Sequence, residues 1–325
     1  MNRLIIYSGA VGLALTTLQT PAFSQSKQYS MAVGSLGGTM GRLGAGLTEA
    51  YNKAQEAAKM NVTPGAGRAN PVRLSQGGAD YAFSFSNFAK SAIAGNVPYK
   101  AKHGNIRAVA RFYDSCYHQY ASKELFDKGI RTWDDIVKSK APLKVGVSKK
   151  GTSTEYTGQL IVQHLGSSYK DLTGRGYKLT FAGTRGNSQA ISSGQIDFYM
   201  HNSGDPNSAG VQAAISRDLV FLEMSDGVKN MLAGHGYSPC KIPGGMYKGN
   251  DKEAASMGLS GVLLTTDKMS EDDVYNLLKS TNENIKFLSG VHKIFKTWTP
   301  KYGADTKGVP LHKGAERFYK EQGLL

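Results

Sequence analysis

Two short turns in this chain of 325 residues place hydroxyls directly behind glycines: Ser35, Gly38 and Thr39 in "GSLGGTM", and Thr152, Ser153 and Thr154 in "KKGTSTE". Each precedes a stretch with apolar residues at helical spacing, so each is read as the start of a helix. A helix start offers unpaired backbone N–H groups at the positive end of the helix dipole, which suits an anion. Hydroxyls beside those amides add donors of the kind a carboxylate needs. The same Ser and Thr residues also suit ordinary helix capping, and the pattern fits both uses. Arg68 would pair with a carboxylate through two parallel hydrogen bonds if it faced the same place; otherwise it is a solvated surface cation. Asn70 and Asn187 either contact a ligand or cap their helices. Ser84, Phe85 and Ser86, and then His201, Asn202 and Ser203, follow at the carboxyl ends of expected strands. His201 reads as a hydrogen-bonding group and not as a metal ligand. Tyr113 and Tyr117 either wall a pocket or pack a hinge.

Other chemistries find little support. The chain has no GxSxG elbow, HExxH helix, phosphate-binding loop or paired-carboxylate motif, and its seven histidines show no i, i+4 pair. No catalytic residue, cofactor or metal is expected. A two-lobed transferase acting on a small acidic substrate is the enzyme alternative, and a receptor feeding a sensor kinase is the other.

The elements that must position these residues are written twice. "NPVRLSQGGADYAF" begins at Asn70 and "NSQAISSGQIDFYM" at Asn187, and the register holds without a gap, Gly77 with Gly194 and Asp80 with Asp197. Each copy has the same lead-in. "YSMAVGS" and "LKVGVS" alternate as strands, a glycine turn follows, and "MGRLGAGLTEAYNKAQ" and "EYTGQLIVQHLG" are helical. Met60 to Thr63 and Tyr177 to Phe181 are second strands. The repeated phrase then supplies a helix ending on a glycine and a third strand. Each half is therefore βαβαβ, an α/β lobe with a parallel sheet flanked by helices. Ligands of such sheets sit beyond the carboxyl ends of the strands, so two facing lobes would hold a ligand in the cleft between them. Crossovers between lobes are expected near Arg111 to Ser122 and near Ser225 to Gly245. A later strand, "MGLSGVLLTT", and a helical run capped by Ser270 return the chain to the first lobe.

Composition sets the outer limits. A 40% hydrophobic content supports a sizeable core, and the formal charge of +14 suits an anionic partner. Basic residues are spread along the chain, with no long run and no nucleic-acid-binding module, so nucleic acid is not an expected partner. Residues 1–24 read as a secretory signal: Arg3, an apolar stretch, and a small-x-small site at Ala22-Phe23-Ser24. An N-terminal anchor is the other reading of that stretch, which is short for a span. In an exported chain Cys116 and Cys240 form a natural disulfide pair; two unpaired buried thiols are the alternative.

Several motifs in order resemble one family. "VGSLGGTMGRLGAGL", "GRANPVRLSQGGADYAFSFS", "VGVSKKGTSTE", "AISSGQIDFYMHNSGDPNSA" and "VPLHKGAERFYKEQGLL" are similar to the solute receptors of tripartite ATP-independent periplasmic (TRAP) transporters, TAXI type, from about Tyr29 to the C-terminus. The resemblance implies a periplasmic, two-lobed solute-binding protein that captures a small organic anion, glutamate-like or another carboxylate. It would deliver that anion to a TRAP membrane permease without an ATP site of its own. Arg68 stands where the family pattern has a small hydroxyl residue. The expected organisation is a monomer with residues 28–115 and 246–325 as lobe one and 116–245 as lobe two.

Overall fold

A computed structural model describes residues 26–204 and 206–325. The signal segment expected at 1–24 lies outside the described residues. The first lobe opens with β1 (Lys27–Ala32), α1 (Thr39–Ala54), β2 (Ala58–Thr63), α2 (Asn70–Ser75), β3 (Tyr81–Phe85) and α3 (Ser86–Ala94). A long strand, β4 (Ile106–Ser122), then carries the chain out, followed by α4 (Lys123–Asp127) and α5 (Trp133–Lys138). The second lobe repeats the pattern: β5 (Lys144–Ser148), α6 (Ser153–His164), α7 (Tyr169–Gly174), β6 (Lys178–Ala182), α8 (Thr184–Ser192) and β7 (Phe198–Ser203). After α9 (Ser208–Ser216), β8 (Leu219–Phe221), α10 (Asp226–Gly234) and β9 (Ser238–Ile242), β10 (Ala254–Thr266) runs back. Four helices close the chain: α11 (Glu271–Glu283), α12 (Ile285–Val291), α13 (Pro300–Ala304) and α14 (Lys313–Glu321).

The strands form one sheet in the order β2-β1-β3-β10-β4-β7-β5-β6, with β8 beside β4 and β9 beside β10. Within each lobe the three short strands are parallel, as expected for βαβ crossovers. The sheet is carried between lobes by β4 and β10. Residues 106–116 of β4 pair antiparallel with 258–266 of β10, and residues 116–121 of β4 then pair with β7. In the same way β10 meets β9 through 254–258 and β3 through 261–264.

The return crossing therefore lies on β10, not at Ser225 to Gly245, where the chain forms α10 and β9. The reason is burial. Most of the run from Met257 to Thr265 is shielded on both faces, as an interior strand paired on both sides must be. By contrast β9 is short and mostly exposed, an edge strand. Cys116 on β4 and Cys240 on β9 are disulfide-bonded, with Cα atoms 5.9 Å apart. Helices α11 and α12 pack on α1 of the first lobe. No helix among the described residues is long and apolar enough to cross a membrane.

The repeated phrase performs the same two tasks in each lobe. Gly77 and Gly194 adopt φ of 77° and 72°, the left-handed turn that ends a helix and favours glycine. Three residues on, the backbone N–H of Asp80 donates to Ser30 at 3.1 Å and that of Asp197 to Lys144 at 2.8 Å, which starts the third strand beside the first.

Candidate functional site

A cavity of about 480 Å³ lies between the lobes, at the carboxyl ends of β1, β3, β5, β6 and β7. Three helices start at its wall. The N-caps of α1, α6 and α8 are Gly38, Thr152 and Gly183, and all three line the cavity. Their dipoles thus point positive ends at one space. Thr152 caps its own helix: its hydroxyl accepts from Glu155 N–H at 3.2 Å and donates to the Lys149 carbonyl at 2.7 Å. The two glycine caps have no side chain to do this, so the first amides of α1 and α8 lack a side-chain acceptor. Lys149 and Arg185 stand exposed at the mouth and add positive charge. A depression of about 590 Å³ beside Lys27, Asp80 and Asp273 is larger, but it lies in the first lobe alone, at the amino ends of β1 and β3. Sheets of this kind bind ligands at the opposite end.

The inner wall carries buried polar groups. His201 is 7% exposed, and burial, reinforced by nearby His118, pushes its pKa down to about 3, so the ring is neutral at physiological pH. Its Nε2 lies 3.4 Å from Thr184 Oγ1, its ring stacks on Tyr199, and its Nδ1 has no hydrogen-bond partner. The Asn202 backbone N–H donates to Thr154 Oγ1 at 3.3 Å, while both polar atoms of its side-chain amide are enclosed and unpaired. Phe85 and Tyr113 form an edge-to-face pair at 6.3 Å that supplies apolar wall.

The lobes touch around this space. Thr39 Oγ1 lies 3.2 Å from Ser203 Oγ and accepts from Gly204 N–H at 3.3 Å. Arg68 Nη2 of the first lobe lies 3.6 Å from Glu155 Oε2 of the second and covers the Tyr156 ring at 5.3 Å. Gly183 faces Ser35 so closely that a Cβ would stand 3.5 Å from Ser35 Oγ.

Of the residues singled out in the sequence, Ser35, Gly38, Thr39, Phe85, Thr152, Ser153, Thr154, His201 and Asn202 line the cavity. Arg68, Asn70, Ser84, Ser86 and Asn187 do not. Arg68 is engaged by Glu155 instead of facing the space. Asn70 and Asn187 are struts and cap nothing: Asn70 Nδ2 donates to the carbonyls of Val33 and Phe83 at 2.9 and 2.7 Å, and Asn187 Nδ2 to those of Val147 and Ala182 at 3.0 Å each. Both lash adjacent strand ends together from behind the cavity. Ser84 Oγ donates to the Gly67 carbonyl at 2.6 Å, holding the loop before α2, and Ser86 is buried at the start of α3. Tyr113 is at the wall, whereas Tyr117 packs in the second lobe, hydrogen-bonded to Thr157 at 2.7 Å.

Gly183, Thr184 and Arg185 escaped the sequence reading because attention to the repeat placed the second-lobe helix at Asn187, one turn late. A signal was present. The chain contains three Gly-Thr pairs, Gly38-Thr39, Gly151-Thr152 and Gly183-Thr184, and each sits at a helix start on this cavity.

Comparison with known proteins agrees with this architecture. MatC from Rhodopseudomonas palustris, solved with bound malate, superposes with a TM-score of 0.56 at 15% identity, over 91% of this chain and 97% of that one. A protein of Bordetella bronchiseptica RB50 gives 0.53 at 13% identity, over 92% and 99%. At such identities the likeness is one of fold, the mixed α/β, two-lobed arrangement anticipated from the duplicated pattern. Residues 31–323 match the model of the NMT1-like family, which spans nearly all of the described chain. The chain belongs to the NMT1-like family.

Proposed function

We propose that this chain is an extracytoplasmic solute receptor, which closes two hinged lobes over a small organic anion and delivers it to a membrane permease. The observation that carries this reading is the meeting of three helix starts and two cations at one interlobe cavity. Backbone amides held rigidly by α1 and α8 would bind a carboxylate with little reorganisation, and lobe closure would exclude water from it. Malate bound in MatC is in keeping with a carboxylate ligand. The motif order that resembles TAXI-type receptors supports a TRAP permease as the partner, and the signal-like sequence pattern of residues 1–24 supports a periplasmic address. Within this reading residues 28–115 and 246–325 form one lobe and 116–245 the other. The ligand contacts are Ser35, Gly38, Thr39, Thr154, His201 and Asn202, joined by Gly183, Thr184 and Arg185.

The test is a thermal-shift screen of amino acids, oxo acids, hydroxy acids and dicarboxylates on ligand-stripped protein. A receptor gains stability by mass action, by about 2.7 kcal/mol at a hundredfold excess over Kd, and returns the ligand unchanged. Conversion of the ligand to product, or no stabilisation by any organic anion, would sink the proposal.

A further inference from the structure

We infer that the cavity takes an amphipathic monocarboxylate, its carboxylate held at the helix starts beside the second-lobe cations and its uncharged, apolar body laid on the first lobe. This rests on the receptor reading above and narrows it, against the glutamate-like ligand that the family resemblance implies.

The two walls of the cavity differ in kind. Second-lobe residues there are polar or cationic, among them Lys149, Arg185 and the hydroxyls of residues 152–154, and no large apolar side chain joins them. The large apolar side chains, Leu36, Met40, Phe85 and Tyr113, all come from the first lobe, which contributes no charged side chain. The anion's seat lies where the walls meet: a Cβ on Gly38 would stand 3.7 Å from Thr184 Oγ1, so the starts of α1 and α8 face each other across the cleft.

Behind that seat the apolar groups form a continuous floor. A Cβ on Gly67 would stand 3.1 Å from Phe85 Cε2 and 3.6 Å from Met40 Cε, so both side chains converge on the bare backbone of Gly67. Phe85 packs edge-to-face on Tyr113, with ring centroids 6.3 Å apart. A Cβ on Gly204 would stand 3.3 Å from Tyr113 Cδ2 and 3.4 Å from Thr39 Cγ2, which carries the floor back to the first residue of α1. Leu36, in the glycine turn before α1, is 55% exposed and is the one exposed large apolar side chain among the described residues that lines the cavity. An apolar ligand body on this floor would cover it when the lobes close. At about 480 Å³ the cavity falls within the range of about 300–1,000 Å³ that takes drug-sized ligands, so a body beyond the carboxylate has room.

Charge discriminates between bodies. Among the described residues no acidic side chain lines the cavity, so the ammonium of an amino acid would leave water without a counter-charge. A second carboxylate laid on the first lobe would face Met40 and Phe85, with both cations on the other wall. Methylene and ring carbons gain by leaving water at the same place.

Calorimetry on the ligand-stripped full chain tests this with acids matched in length: butyrate with succinate, valerate with glutarate and 5-aminovalerate, and 3-phenylpropanoate with phenylalanine. Each monocarboxylate should bind about tenfold or more tighter than its charged counterparts, since the distal charge is buried without a partner. From butyrate to valerate to hexanoate, each methylene should tighten binding by about three- to fourfold, the factor for one buried CH₂. Charged counterparts that bind equally or tighter, or an affinity flat with chain length, overturn the inference and leave the receptor reading intact. Binding of no organic anion at all defeats both. Leu36→Ser, at an exposed position, should leave the empty protein's melting temperature unchanged and lower the valerate-to-glutarate affinity ratio by about threefold or more. Met40→Gln should lower the same ratio and Met40→Leu preserve it. A ratio unmoved by Leu36→Ser and Met40→Gln overturns the inference, and Leu36→Ser decides alone if Met40→Gln does not fold.

Discussion

At His201 a titratable ring is kept neutral by its surroundings, and this ties cavity chemistry to stability. The ordinary pKa is 6.5 and the folded value about 3, with burial the main cause. Above about pH 6.5 the ring is neutral in folded and unfolded chains and contributes nothing. As pH falls below that, the unfolded chain takes up a proton the folded one refuses, so stability drops until about pH 3. His201→Gln removes this proton uptake. Between pH 7 and pH 5 the variant should lose about 2 kcal/mol less stability than the parent, at roughly 1.4 kcal/mol per pH unit, in urea unfolding. Because His292 and His312 are also held below their ordinary values, only the difference between variant and parent isolates His201. Parallel losses would mean that the ring titrates normally in the fold. Residue types alone pointed to His201 and Asn202, but they pointed equally to Asn70 and Asn187. What separates the pairs is which side chain finds strand-end carbonyls and which finds none.

At the scale of elements, the cavity is made by helix starts, and the choice of cap decides their use. Thr152 satisfies α6 from within, while Gly38 and Gly183 leave α1 and α8 open. Gly183 has φ of −70° and ψ of 171°, a conformation any residue adopts. An aspartate there would cap α8 and place a carboxylate where the ligand's is proposed to bind. Gly183→Asp should therefore leave the unfolding free energy of the empty protein equal or slightly higher, by about a few tenths of a kcal/mol, while lowering anion affinity by about tenfold or more. Retained affinity would remove α8 from the site. The strands and helices of both lobes were legible because period-2 and helical apolar patterns and glycine stops are local signals. The start of α8 was not, since nothing in the repeat marks the extra turn at Thr184. The second crossing strand was misplaced for a related reason: a continuous apolar run does not say which neighbours it will have.

For the whole molecule, closure depends on contacts between lobes that no ligand makes. Glu155 is 3% exposed and meets Arg68 across the cleft. Removing one partner leaves the other poorly compensated, and the more buried charge suffers most. Arg68→Gln should weaken ligand binding more than Glu155→Gln, chiefly through faster dissociation in stopped-flow measurements, with the preference among ligands unchanged. The exchanged pair Arg68→Glu with Glu155→Arg should recover part of the loss. If Arg68→Gln instead alters the choice between acidic ligands and their amides, the arginine touches ligand and the contact with Glu155 is incidental.

Read alone, the sequence determined the duplicated βαβαβ plan, the glycine stops at Gly77 and Gly194, and the hydroxyl-rich helix starts at Ser35 to Thr39 and Thr152 to Thr154. Those features depend on spacing within a few turns or strands, where side-chain periodicity and backbone freedom act directly. Only the tertiary structure decided that Arg68 answers to Glu155, that the two repeated asparagines lash strands, and that a third helix opens on the same cavity. Each of these depends on groups distant in sequence being brought within hydrogen-bonding or ionic reach, and that is set by how the two lobes pack against each other.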